Sequence, residues 1–179
     1  MLLCLWLALV LAGVARAQMQ EATEYQIKAA FLFNFGKFVE WPANSFPTPT
    51  SPLVIGVYGS DAFNGELART VQNKTINGHP LVVQIIAASD DFKAPCHILF
   101  ISAAEARETR RLRAILNQAS AAAVLTVGEI PSFTAAGGML NFFPDGDKIG
   151  FEINERVARQ AGLKISYKLL MLAKDHHGS

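Results

Sequence analysis

An α/β fold is predicted: a single domain with a mainly parallel mixed sheet, flanked by helices on both faces, and a C-terminal antiparallel hairpin. Short β-type runs alternate with helix-type runs along most of the chain, which implies crossover connections and parallel strands. Near the C-terminus two such runs are instead joined by a tight turn, the mark of a hairpin. No repeat, low-complexity segment or linker divides the 179 residues.

The first element is a helix over Glu24–Trp41 (EYQIKAAFLFNFGKFVEW), with Ile27, Ala30, Phe31, Asn34, Phe35 and Phe38 forming one stripe. Phe31, Phe33 and Phe35 also alternate as a strand would, but the length and the Ala-Ala pair favour helix. Thr23 is a candidate N-cap, and Pro42 pushes Trp41 out of the α region. Pro42–Pro52 is a proline-rich loop. Leu53–Tyr58 (LVIGVY) reads as a strand ending at Gly59, followed by a helix over Asp61–Val71 capped by Ser60 or Asp61.

The turn Asn77-Gly78-His79-Pro80 introduces a strand over Leu81–Ile86. A strand over His97–Ile101 precedes an amphipathic helix over Ala103–Gln118, with Leu112, Ile115 and Leu116 inward. Ala123–Val127 is a further strand and Ile130–Ala135 a short helix. Met139–Phe143 and Lys148–Ile153 make the hairpin around Pro144–Asp147. Asn154 caps a helix over Glu155–Ala161 that Gly162 ends, and Leu163–Lys174 is a last helix with Ile165, Leu169 and Leu172 on one face.

The chain begins with an unbroken apolar run, Met1–Val14, followed by Ala15-Arg16-Ala17. That run is shorter than the roughly 20 residues a membrane span needs, and a small-x-small site follows it, so residues 1–17 read as a cleaved secretory signal peptide. An uncleaved N-terminal anchor is the alternative. Cleavage leaves 179 − 17 = 162 residues, 18–179, enough chain for one domain with a real core and no insertion into the membrane. It also leaves Cys96 as the one thiol, which excludes an internal disulfide. Cys96 opens the run Cys96-His97-Ile98-Leu99-Phe100-Ile101, so a buried thiol is expected, with an intermolecular bridge or reactive thiol as the alternative. The net charge of +1 gives no footprint for nucleic acid.

No catalytic constellation is visible. Cys-x-x-Cys, His-Glu-x-x-His and Gly-x-Ser-x-Gly are all missing, and neither His79 nor His97 has a second ligand at metal-like spacing. His176-His177 supports adventitious metal binding at most. No cofactor and no metal site is expected. Gly59, Ser60 and Asp61, with Gly128, mark the carboxyl ends of strands, where an α/β sheet offers a ligand crevice. Asp61 there opposes a phosphate and suits a turn cap. Phe31, Phe33, Phe35, Phe38 and Trp41 together exceed what one helix face buries; Phe33, off the stripe, and Trp41 are candidates for an oligomer or partner surface.

Lys28–Pro42 (KAAFLFNFGKFVEWP) resembles the opening motif of the YfiR-like family of exported proteins. Val124–Val127, Gly137–Phe142, Phe151–Asn154, Ala161–Ser166 and Leu169–Ala173 continue the resemblance in order over nearly all of the mature chain. It implies a periplasmic regulator that binds and represses the periplasmic sensor region of an inner-membrane diguanylate cyclase, controlling cyclic di-GMP and biofilm formation. It also implies a homodimer and no enzymatic activity. The intramolecular disulfide control known in the family has no counterpart in a chain whose mature part holds only Cys96.

Such a protein acts through surface complementarity, stabilising one state of its partner. The candidate partner-binding residues are Glu152 and Asn154, which alternate with inward Phe151 and Ile153, and Ile165 and Leu169 in the tail. A helix cap for Asn154 and core packing for Ile165 and Leu169 are the competing assignments. A periplasmic small-molecule sensor without a cyclase partner is the alternative function, and a hydrolase assembled from scattered Ser and His residues is a third class.

Overall fold

The structure, a computed structural model, describes residues 24–88, 93 and 96–174. The leader at 1–17, the Thr23 cap and His176-His177 lie outside the described residues. A helix over 24–38 (α1) leads into β1 (Val39–Glu40) and a 3-10 turn at Ala43–Ser45. Then come β2 (Leu53–Tyr58), α2 (Glu66–Val71), β3 (Thr75–Ile76), β4 (His79–Ile86) and β5 (Ile98–Ile101). α3 (Thr109–Ala121), β6 (Leu125–Gly128), β7 (Leu140–Asp145), β8 (Lys148–Ile153), α4 (Glu155–Gln160), β9 (Lys164–Ile165) and α5 (Tyr167–Leu170) complete it.

Seven strands form one sheet in the order β3-β4-β2-β5-β6-β7-β8. The run β4-β2-β5-β6-β7 is parallel, and the outer pairs β3–β4 and β7–β8 are antiparallel. Taken in chain order, the parallel strands lie 2-1-3-4-5, one common order of a doubly wound sheet. The order reverses between β2 and β5. The expected mixed α/β domain with its C-terminal hairpin is what the chain forms.

Side chains alternate across the sheet. Leu53, Ile55, Val57, Ile98, Phe100, Leu125, Val127, Leu140 and Phe142 meet α1, α2 and the C-terminal helices in one core. Tyr58, Leu99, Ile101 and Val124 meet Leu112, Ile115, Leu116 and Ala119 of α3 on the other face.

Several elements depart from their expected form. The buried line of α1 is Lys28, Ala29, Leu32, Phe35 and Gly36, rotated from the expected stripe, and Ile27 and Ala30 are exposed. A charged Lys28 and a side-chain-free Gly36 occupy buried positions, so hydrophobicity alone misplaces the face. Gly36 lets the helix approach closely here, since a Cβ would lie 2.8 Å from the terminal Cδ1 of Ile76.

The helix expected from Asp61 starts at Glu66, because the Asp61 carboxylate accepts the N–H groups of Phe63 (3.0 Å) and Gly65 (2.8 Å) and closes a turn. Asn64 and Gly65 then take left-handed backbone. The helix expected from Ala103 starts at Thr109, since Ser102 O accepts from Glu105 N and Ala106 N in a tight turn. Asn77 and Gly78, at φ 51° and 88°, make a two-residue turn that pairs β3 with an earlier-starting β4. Residues 131–137 form turns instead of a helix.

The last helix is the largest departure. Lys164–Ile165 pairs with Val39–Glu40 as a separate two-stranded ladder, and only Tyr167–Leu170 is helical. Ser166 N donates to Phe38 O and the Ser166 hydroxyl caps Lys168 N, so the chain restarts a helix there. Leu172, expected inward, is exposed. None of the described helices is long and apolar enough to cross a membrane.

Candidate functional site

The carboxyl ends of β5 and β6 carry a buried ionic cluster. Glu129 directly follows β6, and its carboxylate accepts Ala103 N–H at 2.9 Å, the Tyr25 hydroxyl at 3.1 Å and Lys28 Nζ at 2.6 Å. Lys28 also pairs with Glu24, one helical turn earlier on α1, and its ammonium lies 4.7 Å from the Tyr25 ring centroid. The Lys28 and Glu129 side chains are only 5 % and 8 % exposed. Charges this buried persist because each meets an opposite charge and further hydrogen bonds.

Beside this cluster opens a cavity of about 380 Å³, whose lining includes the polar Glu24, Tyr25, Lys28 and Glu129 and the apolar Phe142, Phe143, Pro144 and Ile149. Its volume falls within the range of small-molecule sites, and its lining mixes charged and apolar side chains. Two carboxylates against one ammonium leave the lining with a formal charge of −1. Sequence reasoning passed over both partners. The available signals were a Lys on an apolar helix and a Glu immediately after a fully buried strand.

Gly59, Ser60, Asp61 and Gly128 do not line this cavity. Gly59 has φ 84°, and a Cβ there would meet the Glu105 carboxyl group at 2.1 Å. Asp61 is engaged as the turn cap and Ser60 is exposed. Gly128 faces the Phe133 ring, which a Cβ would meet at 2.3 Å; Gly138 presses on the same ring from its own position, where a Cβ would lie 2.1 Å away.

The C-terminal candidates fall in two groups. Glu152 accepts from the Thr134 hydroxyl at 2.9 Å. Asn154 donates to Thr134 O at 3.2 Å while its side-chain oxygen caps α4 at Val157 N. Together they tie the 131–137 turns to the hairpin. Ile165 is half-buried and paired with Val39, and Leu169 is 2 % exposed within the core. The exposed apolar side chains of the tail are Tyr167, Met171 and Leu172. Phe33 is half-buried, flanked by Lys37 Nζ at 4.1 Å and Lys74 Nζ at 4.5 Å. Trp41 is half-buried and donates its indole N–H to His97 O at 3.2 Å.

Phe46 lies between two imidazoles, stacked on His79 at 3.9 Å and on His97 at 4.4 Å. His97 Nδ1 accepts Val54 N–H at 3.1 Å, so Nε2 carries the proton given to Ser45 O at 3.1 Å. Burial holds the His97 pKa below its ordinary value, opposed by the Ser45 carbonyl and aided by the charge of His79. His79 binds Ser51 O at 2.8 Å. The two imidazoles therefore pin both ends of the 42–52 loop, over a second cavity of about 330 Å³ bordered by Gly36, Trp41, Phe46 and His79. Cys96 is buried against Gly56, and desolvation pushes its thiol up to about 12, outweighing a hydrogen bond at Gly56. Among the described residues no group of three or more His, Cys, Asp or Glu is placed to hold a metal ion.

Among solved structures the chain is similar to a conserved domain protein from Vibrio cholerae O1 biovar El Tor str. N16961, with a TM-score of 0.51 and 14 % identity. The match covers 68 % of this chain and 54 % of that one, so the chain spans about half the length of that structure. At this identity the likeness speaks to fold alone. No curated protein matches. The family model DUF4154, described as YfiR/HmsC-like, matches residues 25–174, a span from the first turn of α1 to the last described residue, and the chain belongs to that family.

Proposed function

We propose that this chain is a periplasmic regulatory protein that binds and represses the periplasmic sensor region of an inner-membrane diguanylate cyclase, and so limits cyclic di-GMP and biofilm formation. The observation that carries this reading is the YfiR/HmsC-like family match over residues 25–174. In this reading residues 1–17 direct export and are removed, and the protein acts by binding, without catalysis. A regulator of this kind needs only to favour one state of its partner. Glu152 and Asn154, at the hairpin–α4 junction, offer polar groups to a partner, and Tyr167, Met171 and Leu172 of the tail offer exposed apolar ones.

The 380 Å³ cavity beside Lys28 and Glu129 favours a second reading, a small-molecule sensor. The two readings are compatible, since a ligand bound to the free form alone shifts the equilibrium away from the partner complex.

The test is the intracellular cyclic di-GMP level of the host with the chain deleted, restored, and restored as Glu152→Arg. Deletion raises the level, the native chain lowers it and the variant does not. A level that ignores deletion contradicts the regulatory reading.

A further inference from the structure

The two edges of the sheet are finished differently. At the β8 edge, the tail covers the strand by donating Lys174 N–H to Phe151 O at 3.0 Å, and Lys174 also pairs with Asp145. At the other edge β3 covers only the start of β4, pairing with His79 and Pro80. Leu81 N donates outward to Lys74 O, while Ile86 O accepts inward from Gly59 N of the β2 side. Direction alternates along a strand, so Val83 and Ile85 turn their N–H and C=O groups outward, where no strand of the described residues pairs with them.

This stretch, Val82-Val83-Gln84-Ile85-Ile86, carries no charge, no proline and no bulge, although a bare edge normally needs such protection. Val82 is 44 % and Ile85 46 % exposed. The segment is also symmetric in chemical type about Gln84. An antiparallel copy of itself would place Val83 opposite Ile85 as hydrogen-bonded pairs and Gln84 opposite Gln84 on the two-fold axis. Val82 would then face Ile86. Each outward backbone group finds a partner, each apolar side chain an apolar neighbour, and β3 ends the ladder on both sides.

We propose that the β4 edge is a self-association surface on which a second copy of this chain pairs antiparallel about Gln84, joining two seven-stranded sheets into one. The isologous symmetry follows because a palindromic edge matches itself. The proposal does not rest on the regulatory reading, and its test needs no cyclase.

The exported form of the chain, recovered from its host's periplasm, is measured by sedimentation velocity across the micromolar range, with circular dichroism to check folding. Gln84 is exposed, so Gln84→Glu and Gln84→Lys keep the monomer folded while placing like charges face to face. Each variant alone should dissociate at least about tenfold more readily than the native dimer. Mixed in equal amounts they should recover a dimer, because unlike charges then meet on the axis. A native chain that stays monomeric overturns the proposal. So does a dimer indifferent to both substitutions, or a mixture that fails to re-form one.

Discussion

Lys28 Nζ lies 2.6 Å from the Glu129 carboxylate, joining the second turn of α1 to the loop after β6 across 101 residues of sequence. Glu129 in turn holds Ala103 N–H and the Tyr25 hydroxyl, so one carboxylate fixes three segments at the carboxyl ends of the strands. The site is thereby built from pieces no local motif connects, and its integrity depends on a buried charge pair.

Removing one partner of that pair leaves the other stranded. Lys28→Met should lower the unfolding free energy by about 3 kcal/mol, because the Glu129 charge stays buried with its strongest partner gone. Glu24 is 40 % exposed in its side chain, and Glu24→Gln should cost less than about 1 kcal/mol. Urea denaturation at neutral pH separates the two. Equal losses would show that the cluster is more solvated than its burial indicates.

Phe133 fits between Gly128 and Gly138 with no room for a methyl group at either position. Gly128→Ala should destabilise by about 1–3 kcal/mol through overpacking. Phe133→Leu in the same background should recover part of that loss, although alone it is destabilising. Simple additivity in the double variant would contradict the direct contact.

His97 gives the protein an acid-sensitive contact at the 42–52 loop. Its folded pKa lies below the ordinary 6.5, so as pH falls the unfolded chain takes up the proton first. Its stabilising contribution is complete above about 6.5 and is lost as pH drops through the folded value. Protonation at Nδ1 would set a donor against the Val54 N–H. The urea midpoint of the native protein should fall more steeply between neutral and mildly acid pH than that of His97→Gln. Parallel profiles would remove His97 from the account.

The Cys96 thiol, buried and pushed up to about 12, should resist a thiolate-directed reagent such as a disulfide dye in the native state and react on unfolding. Fast labelling of folded protein would mean that the region around Gly56 opens readily.

How far the sequence reveals this arrangement depends on range. The alternation of Leu53–Tyr58 and Ile98–Ile101 with helical segments is local, and so is the pairing of Met139–Phe143 with Lys148–Ile153; those features survive folding nearly as read. Asn77-Gly78 is legible as a turn, but the hairpin it makes is hidden because β3 has only two residues. Leu163–Lys174 misleads because Ile165, Leu169 and Leu172 keep helical spacing, while the deciding partner, Val39–Glu40, is over a hundred residues away. Lys28 and Glu129 are unreadable for a related reason. Each looks like an ordinary surface charge until the other arrives, and only then is burial affordable. The His79–Phe46–His97 stack likewise gathers residues from three segments without a shared motif.

Regulation of a membrane-bound cyclase by this YfiR/HmsC-like chain requires a physical complex, which capture of the partner would reveal. The tagged, exported chain is purified from gently solubilised membranes of its own host, and the co-purifying proteins are identified by mass spectrometry. A membrane protein with a periplasmic sensor region and a cytoplasmic diguanylate cyclase domain should be enriched, and less so when Glu152→Arg is used as bait. Recovery of nothing above the untagged background would contradict direct repression.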